Sequence, residues 1–286
     1  MKTVLSAEWG VGSAVNGFTL VELLIAMTIT LLIAGAVAGV TPTARAAFER
    51  VPADLDSQQR GRMAIGVLSQ AIRSAGQDVA ATSSLGPLSD LLPAVSVSEE
   101  DESGAFGGLT AIVPVAGAAQ GVLSEDQSAP AATIALGIDR CPNVSDLCGF
   151  SPGSTALIAD GTGHFDVFTI AAVHAAARLL TPESALSRSY PAGAVMVEVD
   201  QFTFGLAEQP DGSYSLVRTT AAGAVQPVVD FVNGLSFEVI GRHVPAGFFQ
   251  IQQVNVWLSV ESSTDALRGV MPDRVFRSSI RLRNVP

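Results

Sequence analysis

The chain has 286 residues, with 16 lysines and arginines against 27 aspartates and glutamates, a net charge of −11, and 48% hydrophobic against 15% charged residues. An acidic chain without a basic block is not built to hold duplex nucleic acid directly, because that binding is dominated by lysine and arginine on phosphates. The length allows one large or two modest domains with a real core. A mean hydropathy of +0.39 points to a membrane segment beside an ordinary soluble part.

The first element in chain order is the apolar run from Phe18 to Val40, whose only charge is Glu22. A helix of this length crosses a hydrocarbon core of about 30 Å. A buried core helix would seldom run so far without polar positions. A cleaved secretory signal is the stronger competitor, since Lys2 precedes an apolar core. That core is too long, no Ala-x-Ala-like cut follows it, and Pro42 and Arg45 mark its exit. The run therefore reads as a retained transmembrane helix over 18–40. A carboxylate in hydrocarbon costs roughly 2.5–3.5 kcal/mol at a helix centre, so Glu22 calls for a role.

The stretch Gly17-Phe18-Thr19-Leu20-Val21-Glu22-Leu23-Leu24-Ile25-Ala26 resembles the processing and methylation motif of type IV prepilins and type II secretion pseudopilins. The resemblance implies a leader peptide over 1–17, cleavage between Gly17 and Phe18 by a membrane aspartyl prepilin peptidase, and N-methylation of Phe18. The leader differs from the family pattern in having only Lys2 as a basic residue, offset by Glu8, and Asn16 before the glycine. The resemblance also implies a single pass through the inner membrane, with the rest of the chain in the periplasm or on the cell surface within a pilus. After cleavage Glu22 lies one helical turn from the new amino group. Pairing with the Phe18 amine of a neighbouring subunit would make the buried carboxylate tolerable and set the axial register, an assembly role. The local alternatives are pairing with its own amine or a place among lipid headgroups.

Residues 41–76 read as an amphipathic continuation of the helix. Ala44, Ala47, Phe48, Val51 and Leu55 share one face, and Pro52 must kink or interrupt it. Ala64, Leu68, Ala71, Ile72 and Ala75 share the next face, with Arg60, Arg62 and Arg73 elsewhere and Gly76 as the stop.

Residues 77–286 form the expected β-rich globular head. From Asp78 to Asp126 the chain reads as loop, and the cluster Glu99-Glu100-Asp101-Glu102 as a solvated part of it rather than a calcium site. Strand-type segments follow at 132–138, 155–160, 165–173, 194–207, 213–218, 235–241, 249–262 and 275–283. Val254, Val256 and Leu258 alternate with Asn255, Trp257 and Ser259, which predicts sheets with two differently used faces. Asp160-Gly161-Thr162-Gly163 and Pro210-Asp211-Gly212 are hairpin turns by composition. The absence of βα alternation argues against a Rossmann or barrel enzyme. The expected fold class is α+β, a long N-terminal α-helix (one half membrane-spanning, one half amphipathic) packed on an antiparallel, pilin-like β-rich head.

Cys141 and Cys148 stand in "DRCPNVSDLCGF". With the head outside the cytoplasm, as the resemblance implies, a disulfide between them persists. It closes a short loop worth roughly 2–3 kcal/mol. The alternative, zinc, needs more ligands than two cysteines, and the only histidines are His164, His174 and His243. No metal or cofactor is expected. The glycine-rich "GVGSAVNG" (10–17) precedes a helix rather than following a strand, so it fails as a phosphate loop. Ser151, His164 and Asp166 lack a nucleophile-elbow setting, and the chain does not read as an enzyme.

Ile72–Gln77 ("IRSAGQ") and the tail segments "YPAGAVMVEVDQFTFGL", "SLVRTTAAGAVQPVVDFVNGLSFEV" and "SIRLRN" are similar to PilW-type minor pilins. This implies a minor subunit acting in pilus assembly and initiation. Its implied partners are other minor and major pilins, the prepilin peptidase, the inner-membrane assembly platform and membrane lipid, with no direct nucleic acid. The alternatives are a J-type pseudopilin of type II secretion and a stand-alone pilin-like surface binding protein.

Overall fold

A computed structural model describes residues 18–77, 92–98, 107–115, 117–137, 141, 147–244, 247–264, 268–269 and 271–283, with side chains omitted at 42–47 and 49. Gly17, the glycine-rich segment before it and the acidic cluster at 99–102 lie outside the described residues. The chain divides between Pro52 and Ala53 into two compact units.

Helix α1 (Leu20–Ser74) has 55 residues. Its stretch Leu20–Thr41 has a mean hydropathy of 2.4, and none of its residues is buried in the chain. This is the one segment among the described residues long and apolar enough to cross a membrane. Its few hydroxyls are satisfied within the helix: Thr28 donates to the Ile25 carbonyl at 2.8 Å, Thr30 to Ala26 at 2.7 Å and Thr41 to Val37 at 2.6 Å. That is what a helix surrounded by lipid requires. The helix is not interrupted at Pro42 or Pro52. Each proline removes one backbone donor, and the helix runs on past both. The face expected at Phe48, Val51 and Leu55 is exposed in the chain.

In the second unit the helix turns a different stripe inward. Ala53, Ser57, Gly61, Ala64, Leu68, Ile72 and Ala75 are buried, spaced three or four apart as one helical face requires. Gly61 lies on this stripe, where a β-carbon would overlap the ring of Phe276, so the missing side chain is what lets strand and helix meet. Arg60 does not face solvent. Its guanidinium meets Asp56 at 3.0 Å, donates to the carbonyls of Asp230 at 2.7 Å and Glu261 at 2.8 Å, and stacks over Phe231 at 5.3 Å. Asp54 takes Arg274 in a two-pronged pair at 2.8 and 2.7 Å. Past Ser74 the helix stops, with Gly76 at φ 66° and its N–H given to the Ile112 carbonyl at 3.0 Å.

The strands are β1 (Val95–Val97), β2 (Leu109–Pro114), β3 (Gln120–Leu123), β4 (Ile134–Gly137), β5 (Thr155–Ala159), β6 (Phe165–His174), β7 (Leu179–Pro182), β8 (Val195–Glu208), β9 (Tyr214–Thr220), β10 (Val225–Asp230), β11 (Val232–His243), β12 (Phe249–Val260) and β13 (Arg274–Arg281). Their pairings are antiparallel, and β11-β12-β13 stand as a separate three-stranded sheet. The architecture is an N-terminal apolar helix with an antiparallel β-rich body, an α+β arrangement.

Three strands occupy the stretch from Asp78 to Asp126 that reads as loop. They are short, and β2 buries Leu109, Ala111 and Ile112 without the alternation that marks a strand from sequence. Its place is set by pairing with β8. β7 and β10 are also absent from the sequence reading. β7 has four residues, and β10 carries Pro227 at a register shift, which is where a strand tolerates proline.

The long strand β8 organises the larger sheet. Its first residues pair with β3 on one side and β5 on the other, and its later residues pair with β2 and β9. Following the pairings β8-β3-β4-β7-β6-β5 leads back to β8, so these six strands close into a small barrel without free edges. Ile134, Leu136, Ile158, Ile170, Leu180 and Met196 fill it. A second core joins Leu68 and Ile72 of α1 to Leu109, Phe204, Leu216, Val256 and Leu258 of the flanking sheets.

Candidate functional site

Phe18 and Thr19 precede the first turn of α1, and Phe18 is 82% exposed. The first turn is closed by a reciprocal pair. The Thr19 hydroxyl accepts from the Glu22 N–H at 3.3 Å, while Glu22 Oε2 accepts from the Thr19 N–H at 3.0 Å and from its hydroxyl at 2.9 Å. Two donors left over at a helix start are thereby satisfied, and the carboxylate sits at the positive end of the helix dipole. Thr19-Leu20-Val21-Glu22 is a Thr-x-x-Glu signature, so the sequence carried a signal for this capping role that motif reading passed over. Oε1 of Glu22 has no partner among the described residues and remains open to a second donor.

The structure joins Cys141 and Cys148 in a disulfide, with Cα atoms 4.4 Å apart. Cys148 is buried at a φ of 64°, between Leu147 and Gly149 in a short helical turn. A β-carbon at Gly121 of β3 would lie 3.2 Å from the Cys148 sulfur. The bridge therefore packs directly on the barrel core, beside Phe150 and Leu136.

The residues weighed for hydrolysis go to separate duties. His164 Nδ1 lies 3.4 Å from Asp160 and 3.3 Å from the Thr162 hydroxyl, inside the β5–β6 turn. Asp166 accepts from the Ser187 N–H at 3.0 Å and hydroxyl at 2.5 Å. Ser151 contributes its carbonyl to Ser154. Burial works to raise the Asp160 carboxyl, but the Thr162 N–H and hydroxyl, with His164, outweigh it and hold the group below its ordinary value. His174 precedes a one-turn helix, and His243 packs edge-on against Phe249 at 5.2 Å. Among the described residues, three or more metal-ligating side chains nowhere gather.

With this geometry in view, residues 12–38 match the family described as "Prokaryotic N-terminal methylation motif". The match covers the site around Phe18 and Glu22 and the start of the apolar helix. Over this stretch the chain is similar to the methylation motif of type IV pilin-like proteins and pseudopilins. The apolar helix Leu20–Thr41, the one candidate span among the described residues, agrees with single-pass membrane anchoring. A search of curated proteins gives no match.

Proposed function

We propose that the protein is a minor subunit of a type IV pilus, acting in assembly and initiation of the fibre, with its β-rich body as a pilin-type head in the periplasm or at the cell surface. The observation that carries this reading is the methylation motif at residues 12–38 placed at the head of the apolar helix Leu20–Thr41. In this reading the leader ends at Gly17 and the mature chain starts at N-methylated Phe18. Glu22, with Oε1 open beside the capped first turn, receives the amine of a neighbouring Phe18. The capping contact supports this role, since it fixes the carboxylate at the helix start, where an incoming amine arrives. A buried carboxylate without a cationic partner would be costly, and the pairing removes that cost.

Mass spectrometry of the membrane-extracted protein tests the reading. The expected amino terminus is N-methylated Phe18, and Gly17→Arg is expected to leave the full-length precursor. A mature wild-type chain beginning at Met1 would sink it. Deletion of the gene then separates the systems: loss of pili supports the pilus assignment, and loss of exoprotein release with pili intact assigns the chain to type II secretion.

A further inference from the structure

The three-stranded sheet ends in β13, which pairs with β12 on one side and, among the described residues, with no strand on the other. Leu282, just past its end, gives its N–H to the Gln252 carbonyl at 3.0 Å. Backbone groups of an antiparallel strand alternate in direction. Ile280, Ser278 and Phe276 therefore turn toward β12, while Arg277, Ser279 and Arg281 turn their N–H and C=O groups to the open side. The same three residues are exposed, on the face away from the core.

The charge on this edge runs against the rest of the molecule. Residues 274–283 hold four arginines and no acidic residue in a chain of net charge −11. Arg274 is taken by Asp54. Arg281 has a long contact of 3.4 Å to the Gln253 amide, and Arg277 and Arg283 have no ion-pair partner among the described residues. Past the end of β13 lies a groove of about 570 Å³ lined by Ser69, Gln70 and Arg73 of α1, by Gln77 beyond the helix end, and by Arg283. On the outer face Trp257, directly across from Arg277, borders a shallow trough of about 200 Å³ shaped by Gly234, Ser236, Ser259 and Val275.

We propose that β13 is a docking strand: an extended acidic segment of a partner chain adds to its open edge as a fourth strand. Backbone hydrogen bonds to Arg277, Ser279 and Arg281 would hold it, as in strand addition generally. Side chains on one face of the added strand recur every second residue, which sets carboxylates opposite Arg277 and Arg281. Arginine is among the residue types enriched where interface energy concentrates. The arginine row also repels a second copy of β13, so pairing of like edges is disfavoured while an acidic strand is admitted. The proposal concerns the head alone and stands whichever filament system the amino terminus serves.

The test is fluorescence anisotropy on the full-length protein in detergent micelles, with a labelled ten-residue peptide alternating glutamate and threonine and its lysine–threonine counterpart. The glutamate peptide is expected to bind and the lysine peptide not. Arg277→Glu combined with Arg281→Glu is expected to weaken binding by about tenfold or more. Ser279→Pro removes an outward N–H without touching the β12 pairing and is expected to weaken it similarly. Amide exchange on the wild type guards against a misfolded variant, since the added strand should slow exchange at Arg277, Ser279 and Arg281. The proposal is overturned by equal affinity for the two peptides, by no binding of the glutamate peptide, or by binding without that amide protection.

Discussion

Glu22 carries two demands at once. Its Oε2 closes the first turn with Thr19, and its open Oε1 is proposed to meet a neighbour's amine. A change to glutamine separates the two, because an amide oxygen still accepts the Thr19 N–H but carries no charge. Glu22→Gln is expected to be cleaved and inserted as wild type and yet to drop out of cross-links to other pilins. If the glutamine variant assembles normally, capping alone accounts for the residue. Tyr190 is a second single-residue case. It is 2% exposed, and its hydroxyl has no partner within ordinary hydrogen-bond distance among the described residues, the Asp166 carboxylate acting on it from farther off. Burial, with the Asp166 carboxylate next in effect, raises its ionisation well above the ordinary value. Stability from keeping this phenol neutral is full below the unfolded value of about 10 and is lost as pH rises beyond it. Tyr190→Phe removes a buried, unpaired polar atom, so thermal melting at neutral pH should be unchanged or raised, by about 1 kcal/mol at most. The variant should also lose less stability above pH ~10. A drop of several kcal/mol would mean that the hydroxyl has a partner that matters.

At the scale of elements, the helix and the three-stranded sheet share an apolar core, and one absent side chain and the guanidinium groups of Arg60 and Arg274 fix how they meet. Gly61→Ala forces the Phe276 ring away from the helix and is expected to cost about 1–3 kcal/mol in denaturant unfolding of the head. Phe276→Ala should largely relieve that penalty in the double variant, since the clash disappears with the ring. Arg60→Ala strands the carbonyls of Asp230 and Glu261. The expected loss is about 2–3 kcal/mol, as for hydrogen bonds to a charged group. Arg60→Lys should recover little of it, because a point charge cannot reach both carbonyls in the fork geometry. Equal stability of the lysine variant and wild type would show that the charge, rather than the fork, holds the helix.

For the whole molecule, the disulfide and the barrel act together. Cys148 is fully buried against Gly121 and Leu136, so the bridge ties Cys141 to the barrel core. If the bridge forms in the exported protein, thiol titration without reductant should find none free. Cys141→Ser should expose one thiol and lower stability by roughly 2–3 kcal/mol. Two titrating thiols in protein recovered from the periplasmic face would refute the bridge.

Local patterns alone determined the amino-terminal half of this account. The apolar run, the motif around Phe18 and Glu22, and the small-residue stripe Ala64, Leu68, Ala71, Ile72 and Ala75 are periodic and contiguous, so they speak for themselves in one dimension. The long strands β8, β11 and β12 were legible for the same reason: each carries enough alternation to outweigh its neighbours. What only the tertiary structure decided is everything that depends on partners far apart in the chain. β1, β2, β3 and β7 are too short to show a period and exist because other strands offer them pairing. The closure of six strands into a barrel follows from β8 pairing on both sides at once. Arg60 looks like any charge off an apolar face until the carbonyls of Asp230 and Glu261, far along the chain, arrive beside it. The arginine row of β13 is visible in the sequence, but its edge, with no second strand paired to it among the described residues, is not, since pairing depends on segments far apart in the chain.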